Sequence, residues 1–237
     1  MSNVQDMSAN EGKKLEIIFD GRTFYRIPIK THLITENDNI SDIAYEYTKD
    51  IVEKSDILFI SKKVVAITQN RIFLAREIKV SPLAEFLSKF ITISSLGMGL
   101  GRPETMEIAI RECGTIRMLF AAIIAGFTKK ILRRSGDFYK LIGSKARYID
   151  GSYDGNIPPY DEYIILAPEN CNEICREASK RLGNICVAIV GVNDVGANTL
   201  GVSHDDMNPK EISKVLSDNP LGEEHQKTPL GIIRELK

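Results

Sequence analysis

A strongly apolar strand in the last third of the chain constrains the fold most. Residues 185–192 read ICVAIVGV, a nearly continuous apolar run that predicts a buried strand. A shorter strand is predicted at 163–167, and between the two lies a helix predicted to begin at Pro168 and to be capped by Gly183. This alternation predicts an α/β (α+β) protein with mixed sheets and flanking helices.

The remaining elements follow from local signals. Helix starts are indicated by capping residues or first-turn prolines at Asn39, Ser81-Pro82, Arg102-Pro103 and Asn208-Pro209. Further strands are predicted at 15–19, 23–29, 56–61 and 230–234, the last as a closing strand. Residues 115–149 fit a strand pair or a buried helix equally well, because their apolar residues show no decisive period.

The length of 237 residues allows one large domain or two closely packed halves. Residues 1–14 are polar and small, which predicts a disordered tail. No linker marks a boundary in the rest of the chain. We therefore expect a single domain over residues 15–237, with two intertwined subdomains as the alternative.

Charge and composition exclude several classes of protein. The 31 basic and 32 acidic residues nearly cancel, which argues against a generic nucleic-acid binder. The longest apolar run, residues 118–127, is too short to span a bilayer, and the start of the chain lacks the apolar core of a signal peptide. We expect a cytoplasmic protein with no membrane contact and with reduced thiols. Cys171 and Cys175 lie four residues apart on one helical face and are predicted to be buried packing residues.

Two carboxylates follow predicted strands, Asp150 and Asp194. Ligand sites of open α/β sheets lie at the carboxyl ends of strands, and Mg²⁺ prefers carboxylates with phosphate oxygens and water. The alternative is that both are ordinary turn residues. The glycine-rich stretch 94–103 runs into a helix start, which suits either an anion site or a flexible connection.

Five segments, taken in order, resemble the coenzyme F-420 gamma-glutamyl ligases. They are IPIKTHLITENDNI (27–40), DILFISKKVVAITQNR (56–71), ARYIDGS (146–152), ICVAIVGVNDVG (185–196) and LGEEHQKTPLGIIR (221–234). The resemblance covers the chain from about Ile27 to Arg234. It implies a homodimeric enzyme that joins L-glutamate to the lactyl end of a deazaflavin coenzyme, with GTP as substrate and with Mg²⁺ or Mn²⁺. The implied chemistry is phosphorylation of a carboxylate followed by attack of an amine.

The resemblance also implies roles for individual residues. The metal ligands would be Asp150, Asp194 and Glu223. The nucleotide would contact Lys30, Thr31, His32, Ser61, Lys62, Gly222 and Gln226. No catalytic residue is assigned.

The chain departs from the family pattern at three places. The family's D-T-x-G-R-P-x-R run is replaced by Asp194-Val195-Gly196-Ala197-Asn198, the asparagine expected after Asp150 is Tyr153, and the C-terminal loop reads GEEHQKTP instead of a glycine run. Missing arginines remove bidentate bonds to phosphate. A non-catalytic nucleotide- or metabolite-binding protein on the same scaffold is therefore the alternative function, and a different transferase on this fold is a third.

Overall fold

The computed structural model describes residues 8–91, 99–132, 137–152, 156–193, 196–222 and 226–236. The chain divides into two compact units. The first unit combines residues 1–70 with 168–237, and the second comprises residues 71–167. The mixed α/β content confirms the predicted fold class.

Strands and helices are interspersed along the chain, except for a run of helices between residues 82 and 147. The strands are β1 Glu16–Phe19, β2 Arg22–Ile29, β3 Ile57–Ser61, β4 Ile72–Leu74, β5 Tyr163–Ile165, β6 Cys186–Asn193, β7 Gly196–Val202 and β8 Leu230–Leu236. The α-helices are α1 Ile40–Thr48, α2 Lys62–Thr68, α3 Pro82–Ser88, α4 Pro103–Cys113, α5 Thr115–Leu132, α6 Asp137–Ile142, α7 Ser144–Arg147, α8 Cys171–Arg181 and α9 Pro209–Val215. Short 3₁₀ turns occupy Ala75–Glu77 and Tyr160–Glu162. No helix within the described ranges is both long enough and apolar enough to cross a membrane.

The first unit contains a six-stranded mixed sheet in the order β1-β2-β8-β3-β6-β7. Only the β3–β6 pair is parallel, and every other neighbouring pair is antiparallel. The predicted closing strand at 230–234 thus lies in the interior of the sheet, between β2 and β3. A strand from the C-terminal part of the chain is thus inserted between two strands from its N-terminal part.

Both faces of this sheet are covered. On one face, Leu58 and Ile60 of β3 and the neighbouring strands pack against α1 and α8. On the other face, Phe59 and strand residues beside it pack in a cluster with α9. Gly231 of β8 faces Phe59, because a Cβ at Gly231 would lie 2.3 Å from the end of that ring. The missing side chain lets the aromatic ring lie flat against the neighbouring strand.

The second unit is mainly helical. Its two strands, β4 and β5, form a small antiparallel sheet, and α3 to α7 surround a separate apolar cluster that includes Met106, Met118 and Ile164. The ambiguous stretch 115–149 is helical: α5, α6 and α7 fall within it. The two ends of this unit meet, since Arg71 Nε donates to the Ala167 carbonyl at 2.8 Å and Leu166 N to the Arg71 carbonyl at 2.9 Å.

Capping signals located most helix starts correctly. The side chains of Asn39, Ser81 and Asn208 accept hydrogen bonds from backbone N–H groups of the helices that follow them. Prediction failed at α8, which begins at Cys171 and not at Pro168, because Asn170 adopts a left-handed conformation (φ +52°) that interrupts the helix. Strand β7 was not predicted, because its sequence GANTLGV lacks a strong apolar pattern.

A buried ion pair joins the end of β8 to the loop before β3. Arg234 donates to the fully buried Asp56 through Nε at 2.9 Å and through Nη2 at 2.6 Å, and the same Nη2 reaches the Ile51 carbonyl at 2.8 Å. The Asp56 carboxylate also accepts from the Glu53 N–H at 2.7 Å. This bidentate, hydrogen-bonded geometry is the one in which a buried charge pair is well compensated.

Breaking this pair should strongly destabilise the fold. We expect Arg234→Met to lower the free energy of unfolding by about 3–5 kcal/mol, because it leaves the Asp56 carboxylate buried and without its cation. Arg22→Met is the matched control, since Arg22 is well exposed in its ion pairs with Glu211 and Glu235, and it should cost at most about 1 kcal/mol. Chemical denaturation measures both. Equal losses of unfolding free energy in the two variants would show that the buried Arg234–Asp56 pair contributes no more to stability than an exposed ion pair.

Cys175 is fully buried as predicted, whereas Cys171, at the first turn of α8, is only partly buried. Burial raises the pKa of the Cys175 thiol to about 12. The folded protein therefore keeps this proton at a pH where the unfolded chain, with a thiol pKa of about 8.5, loses it. The stabilising contribution of the buried thiol is present below that pH and decreases as the pH rises toward 12.

We expect Cys175 to resist thiol reagents in the native protein, because the reactive thiolate is absent near neutral pH. Cys175→Ala should cost about 1–2 kcal/mol at pH 7. The difference in unfolding free energy between wild type and variant should shrink above about pH 9, as the linkage requires. Denaturation at pH 7 and pH 10 tests this expectation. A difference that grows with pH would contradict the buried neutral thiol.

Candidate functional site

The predicted nucleotide-contacting segments of the first unit meet at one edge of the sheet. Ile29 at the end of β2 and Ile60 near the end of β3 both pair with Leu230, the first residue of β8. The chain therefore leaves β2 and β3 where it enters β8. Lys30–His32, Ser61–Lys62 and residues 226–229 gather at this edge, and the parallel strand β6 ends there as well. This is the carboxyl edge at which open sheets bind ligands.

Backbone hydrogen bonds tie these loops together. The N–H of Thr31 donates to the Lys227 carbonyl at 3.0 Å, and the N–H of Ser61 donates to the Pro229 carbonyl at 2.8 Å. The methylene stem of Lys62 lies over Gly191 of β6, where a Cβ would come within 3.1 Å of the lysine Cδ. The segment before β8 therefore serves as a common support for the loops after β2 and β3.

A hydrogen-bonded trio orients His32. Its Nδ1 lies 2.8 Å from the Tyr47 hydroxyl, its backbone N–H donates to the same oxygen at 3.2 Å, and its Nε2 lies 3.3 Å from Asp38 Oδ1. Burial acts to raise the pKa of Asp38, but hydrogen bonds from Thr35 and then from His32 outweigh it and lower that pKa.

The Asp38 carboxylate is thus ionised at neutral pH and accepts a hydrogen bond from Nε2–H of His32. In neutral His32, Nδ1 is then the acceptor and the Tyr47 hydroxyl the donor. Tyr47 and Asp38 are site residues that the sequence reasoning did not single out. The only available signal was that Tyr47 occupies the end of the apolar stripe of α1, where its ring packs against the core and its hydroxyl extends beyond it.

The C-terminal loop contains a close contact between Gly222 and Gln226. Gly222 has φ +72°, and a Cβ built on it would lie 1.4 Å from Gln226 Oε1, so the amide occupies the space that a side chain would take. Within the described residues, this Oε1 is buried and has no hydrogen-bond donor. It is an oxygen acceptor held at the site, available to a donor group or a cation. Asn10 also anchors this loop, since its Nδ2 donates to the carbonyls of Pro220 and Leu221.

The predicted metal ligands are distributed over both units. Asp150 belongs to the second unit, where it follows helix α7 and not a strand as predicted, and its backbone exchanges two 2.8 Å hydrogen bonds with Ile165. Two residues further on, Ser152 accepts from Arg102 Nη1 at 3.0 Å; this arginine stands at the start of α4. Asp194 and Glu223 lie outside the described residues, so the hypothesis that Asp150 and Asp194 share one cation stays a prediction.

The part of the chain that the structure describes contains no cluster of three or more His, Cys, Asp or Glu side chains suited to a metal. The chemistry of the candidate donors nevertheless fits Mg²⁺ or Mn²⁺. Carboxylates such as those of Asp150, Asp194 and Glu223, and an amide oxygen such as that of Gln226, which has no donor among the described residues, are hard oxygen ligands of the kind these ions prefer.

Comparison with known protein families shows to which family the chain belongs. The family model of the F420-0:gamma-glutamyl ligases matches residues 28–194, which is more than half of the chain. The chain belongs to this family. The resemblance seen in the sequence is thereby confirmed, and membership supports gamma-glutamyl ligase function in coenzyme F-420 biosynthesis. No curated protein matches the chain significantly.

The match to the F420-0:gamma-glutamyl ligase family does not cover all of the site equally. It includes Lys30–His32, Ser61, Lys62, Asp150 and Asp194, and it ends before the C-terminal loop. The assignments of Gly222, Glu223 and Gln226 therefore depend on the weaker sequence resemblance and, for Gly222 and Gln226, on their position beside β8.

The contact between Gly222 and Gln226 can be tested with two variants, Gly222→Ala and its matched control Gly21→Ala. Gly222 and Gly21 share a φ of +72°, but a Cβ at Gly21 would meet no atom within 4 Å. Both alanine variants carry the same left-handed strain, about 1–2 kcal/mol. Only Gly222→Ala must also displace the Gln226 amide, so we expect it to destabilise the protein further and to weaken GTP binding at least about tenfold. Calorimetric titration measures affinity. Equal affinities in the two variants would remove Gln226 from the site.

Proposed function

We propose that this protein is a GTP- and metal-dependent ligase that forms an amide between L-glutamate and the carboxylate of a deazaflavin coenzyme precursor or of a related molecule. The observation that carries the proposal is the convergence of the loops after β2 and β3 on the segment before β8 at one sheet edge. The family match supports the same reaction class, and it covers most of the candidate site residues.

The reaction would proceed in two balanced steps. The carboxylate oxygen attacks the γ-phosphorus of GTP and GDP leaves, which gives an acyl phosphate. The glutamate amine then attacks the acyl carbon, loses a proton, and expels inorganic phosphate. A divalent ion, when bound, neutralises phosphate charge and orients the phosphate oxygens.

The chain's own residues would bind and orient the substrates. Lys30 and Lys62 bring two positive charges to the sheet edge, and lysine ammonium groups bind phosphate as point charges. His32 is fixed in its loop by Tyr47 and Asp38, which keeps the nucleotide-contacting loop in one conformation. Immobilising reactants in this way supplies much of the rate enhancement in phosphoryl transfer.

A second candidate function is a non-catalytic nucleotide- or metabolite-binding protein. The specific observation in its favour is the sequence after β6, where Val195 stands in place of the family's threonine and Asn198 in place of its first arginine. Ala197 and Asn198 belong to β7 and pair with Val192 and Gly191 of β6.

A cytoplasmic location and a homodimer are further parts of the proposal that this protein is a ligase.

The deciding experiment combines titration with turnover. Calorimetry with GTP or ATP and Mn²⁺ measures binding, and release of phosphate on addition of L-glutamate and a carboxylate acceptor measures ligation. For a ligase, we expect GTP to bind only with metal and phosphate release to require both acceptor substrates. Binding without release would favour the non-catalytic function, and no binding of either nucleotide would contradict both.

The aspartates give a direct variant test. Asp150→Asn and Asp194→Asn should each lower metal-dependent GTP affinity at least about 100-fold with the fold intact, because each removes an anionic ligand. Asp205→Asn is the control, since the Asp205 side chain is fully exposed on the loop after β7. Circular dichroism verifies folding of all three. Unchanged affinity in the first two would show that these aspartates are only turn residues.

A further inference from the structure

The glycine-rich stretch 94–103 runs into a helix that crosses the interior of the second unit. Residues 94–98 lie outside the described residues, but the end of the stretch forms a turn, in which the N–H of Arg102 donates to the Gly99 carbonyl at 3.5 Å. In helix α4, which follows, every residue from 105 to 110 is buried. The start of this helix is only partly buried and is therefore accessible to a small ligand.

The first turn of α4 has backbone donors that no side chain caps. Pro103 has no N–H, and the N-cap residue Arg102 makes no capping hydrogen bond, so the N–H groups of Glu104 and Thr105 have no side-chain acceptor among the described residues. The helix has 11 residues, and its aligned peptide dipoles place about half a positive charge at this end. The carboxylate of Glu104 offsets part of that charge. Such a helix start attracts an anion, and the side chains around it decide whether one binds.

The guanidinium of Arg102 adds a full positive charge beside the helix start. Its Nη1 donates to Ser152 Oγ at 3.0 Å, and Ser152 is buried. Within the described ranges Arg102 forms no ion pair, and one bond leaves most of its N–H donors available. Because arginine can only donate, Ser152 Oγ is the acceptor in this contact, and its own O–H is available to another acceptor. Both side chains therefore offer donors at the same place.

Thr105 is an independent indication of a ligand. Its side chain is 0% exposed, and its hydroxyl has no hydrogen-bond partner in the described part of the chain, not even the carbonyl one turn earlier that helical threonines commonly use. A buried hydroxyl without a partner costs free energy, so it favours binding of an acceptor. Thr105 is the third residue of α4, and helical side chains lean toward the N-terminus. Its hydroxyl is thus directed toward the first turn.

We propose that the start of α4 is an anion site whose ligand is a phosphate group. This α4 phosphate site comprises the N–H groups of Glu104 and Thr105, the hydroxyls of Thr105 and Ser152, and the guanidinium of Arg102. All of these groups donate hydrogen bonds, and a phosphate group has more oxygens to accept them than a carboxylate has. The inference does not depend on the ligase reaction, because it uses none of the loops at the sheet edge of the first unit.

Two sources share this chemistry, free inorganic phosphate and a phosphate group of a nucleotide. Ser152 follows Asp150 by two residues, so the Cα atoms of the two are at most about 7 Å apart. A phosphate group at the α4 phosphate site would thus lie near the carboxylate that the family resemblance assigns to a metal. Titrations without divalent metal keep the α4 phosphate site separate from that assignment.

Calorimetric titration of the full chain with inorganic phosphate tests the site. We expect one phosphate to bind per chain, and Arg102→Met to weaken this binding at least about tenfold, because it removes a charged donor. Arg76→Met is the matched control, since it also removes one positive charge from the second unit, but from an exposed pair with Glu162. It should leave the phosphate affinity unchanged. No binding to wild type at millimolar phosphate, or equal weakening in both variants, overturns the proposal.

Thr105→Val separates ligand binding from stability. Valine has nearly the same size but no hydroxyl, so the variant should melt at a higher temperature than wild type in phosphate-free buffer. It should also bind phosphate at least about tenfold more weakly and lose much of the rise in melting temperature that phosphate causes in wild type. A folded Thr105→Val with unchanged phosphate affinity, or one that melts lower without phosphate, contradicts the assignment of this hydroxyl to a ligand.

Competition identifies the source of the phosphate group. Displacement of phosphate by GTP in metal-free buffer, abolished by Arg102→Met, would assign the α4 phosphate site to a nucleotide phosphate. Binding of phosphate that GTP does not displace would assign it to inorganic phosphate. Displacement by L-glutamate at lower concentration than phosphate itself requires would show a carboxylate site and overturn the proposal.

Discussion

The pairing of Arg234 with Asp56 fixes the strand on which the first unit depends. Strand β8 separates β2 from β3 and hydrogen-bonds to both, so its register sets the positions of two neighbours at once. Arg234 holds the far part of β8 through the buried carboxylate and the Ile51 carbonyl. Because a shift by one residue would separate these charges in a dry environment, the ion pair favours a single register.

The same strand connects stability to the candidate site. Its first residue, Leu230, lies opposite Ile29 and Ile60, and the segment just before it supports Thr31 and Ser61 through their backbone N–H groups. The loops that would hold the nucleotide thus have their positions determined by a strand that carries none of the proposed ligands. Substitutions along β8 can therefore alter binding without touching a ligand.

Prediction from sequence succeeded where the signal was local. The caps at Asn39, Ser81 and Asn208, the apolar strand β6 and the glycine after α8 all encode their structure in a few adjacent residues. The interior position of β8 and the contact between Arg234 and Asp56 join residues far apart in the chain, and no local pattern records them. The helical state of 115–149 was undecided because α5 is apolar on both sides, which removes the period that distinguishes a helix from a strand.

The residues of the candidate site also fall into two groups, those that a local sequence pattern indicates and those whose contacts depend on the folded chain. The resemblance predicts nucleotide contacts in the loops at Lys30–His32 and Ser61–Lys62, and the sheet topology brings these two loops to one edge. Tyr47 was missed because its contact with His32 joins α1 to the loop before it, and Asp38 was missed because this loop must fold back on itself to bring the carboxylate to His32. The buried Gln226 oxygen, which has no donor within the described ranges, could not be predicted either, since its surroundings depend on the conformation of Gly222.

The hydrogen bonds that join the two ends of the second unit affect the order in which parts of the chain can fold. Arg71 and Ala167 meet by hydrogen bonds, so residues 71–167 form a nearly self-contained insertion that can collapse during synthesis before β6, β7 and β8 exist. Strands β2 and β3 must wait for β8, which is translated after the other strands and lies between them. Contacts of such long sequence separation slow folding. Strands β2 and β3 therefore expose the edges that pair with β8, and such unpaired edges invite aggregation, until β8 has been synthesised.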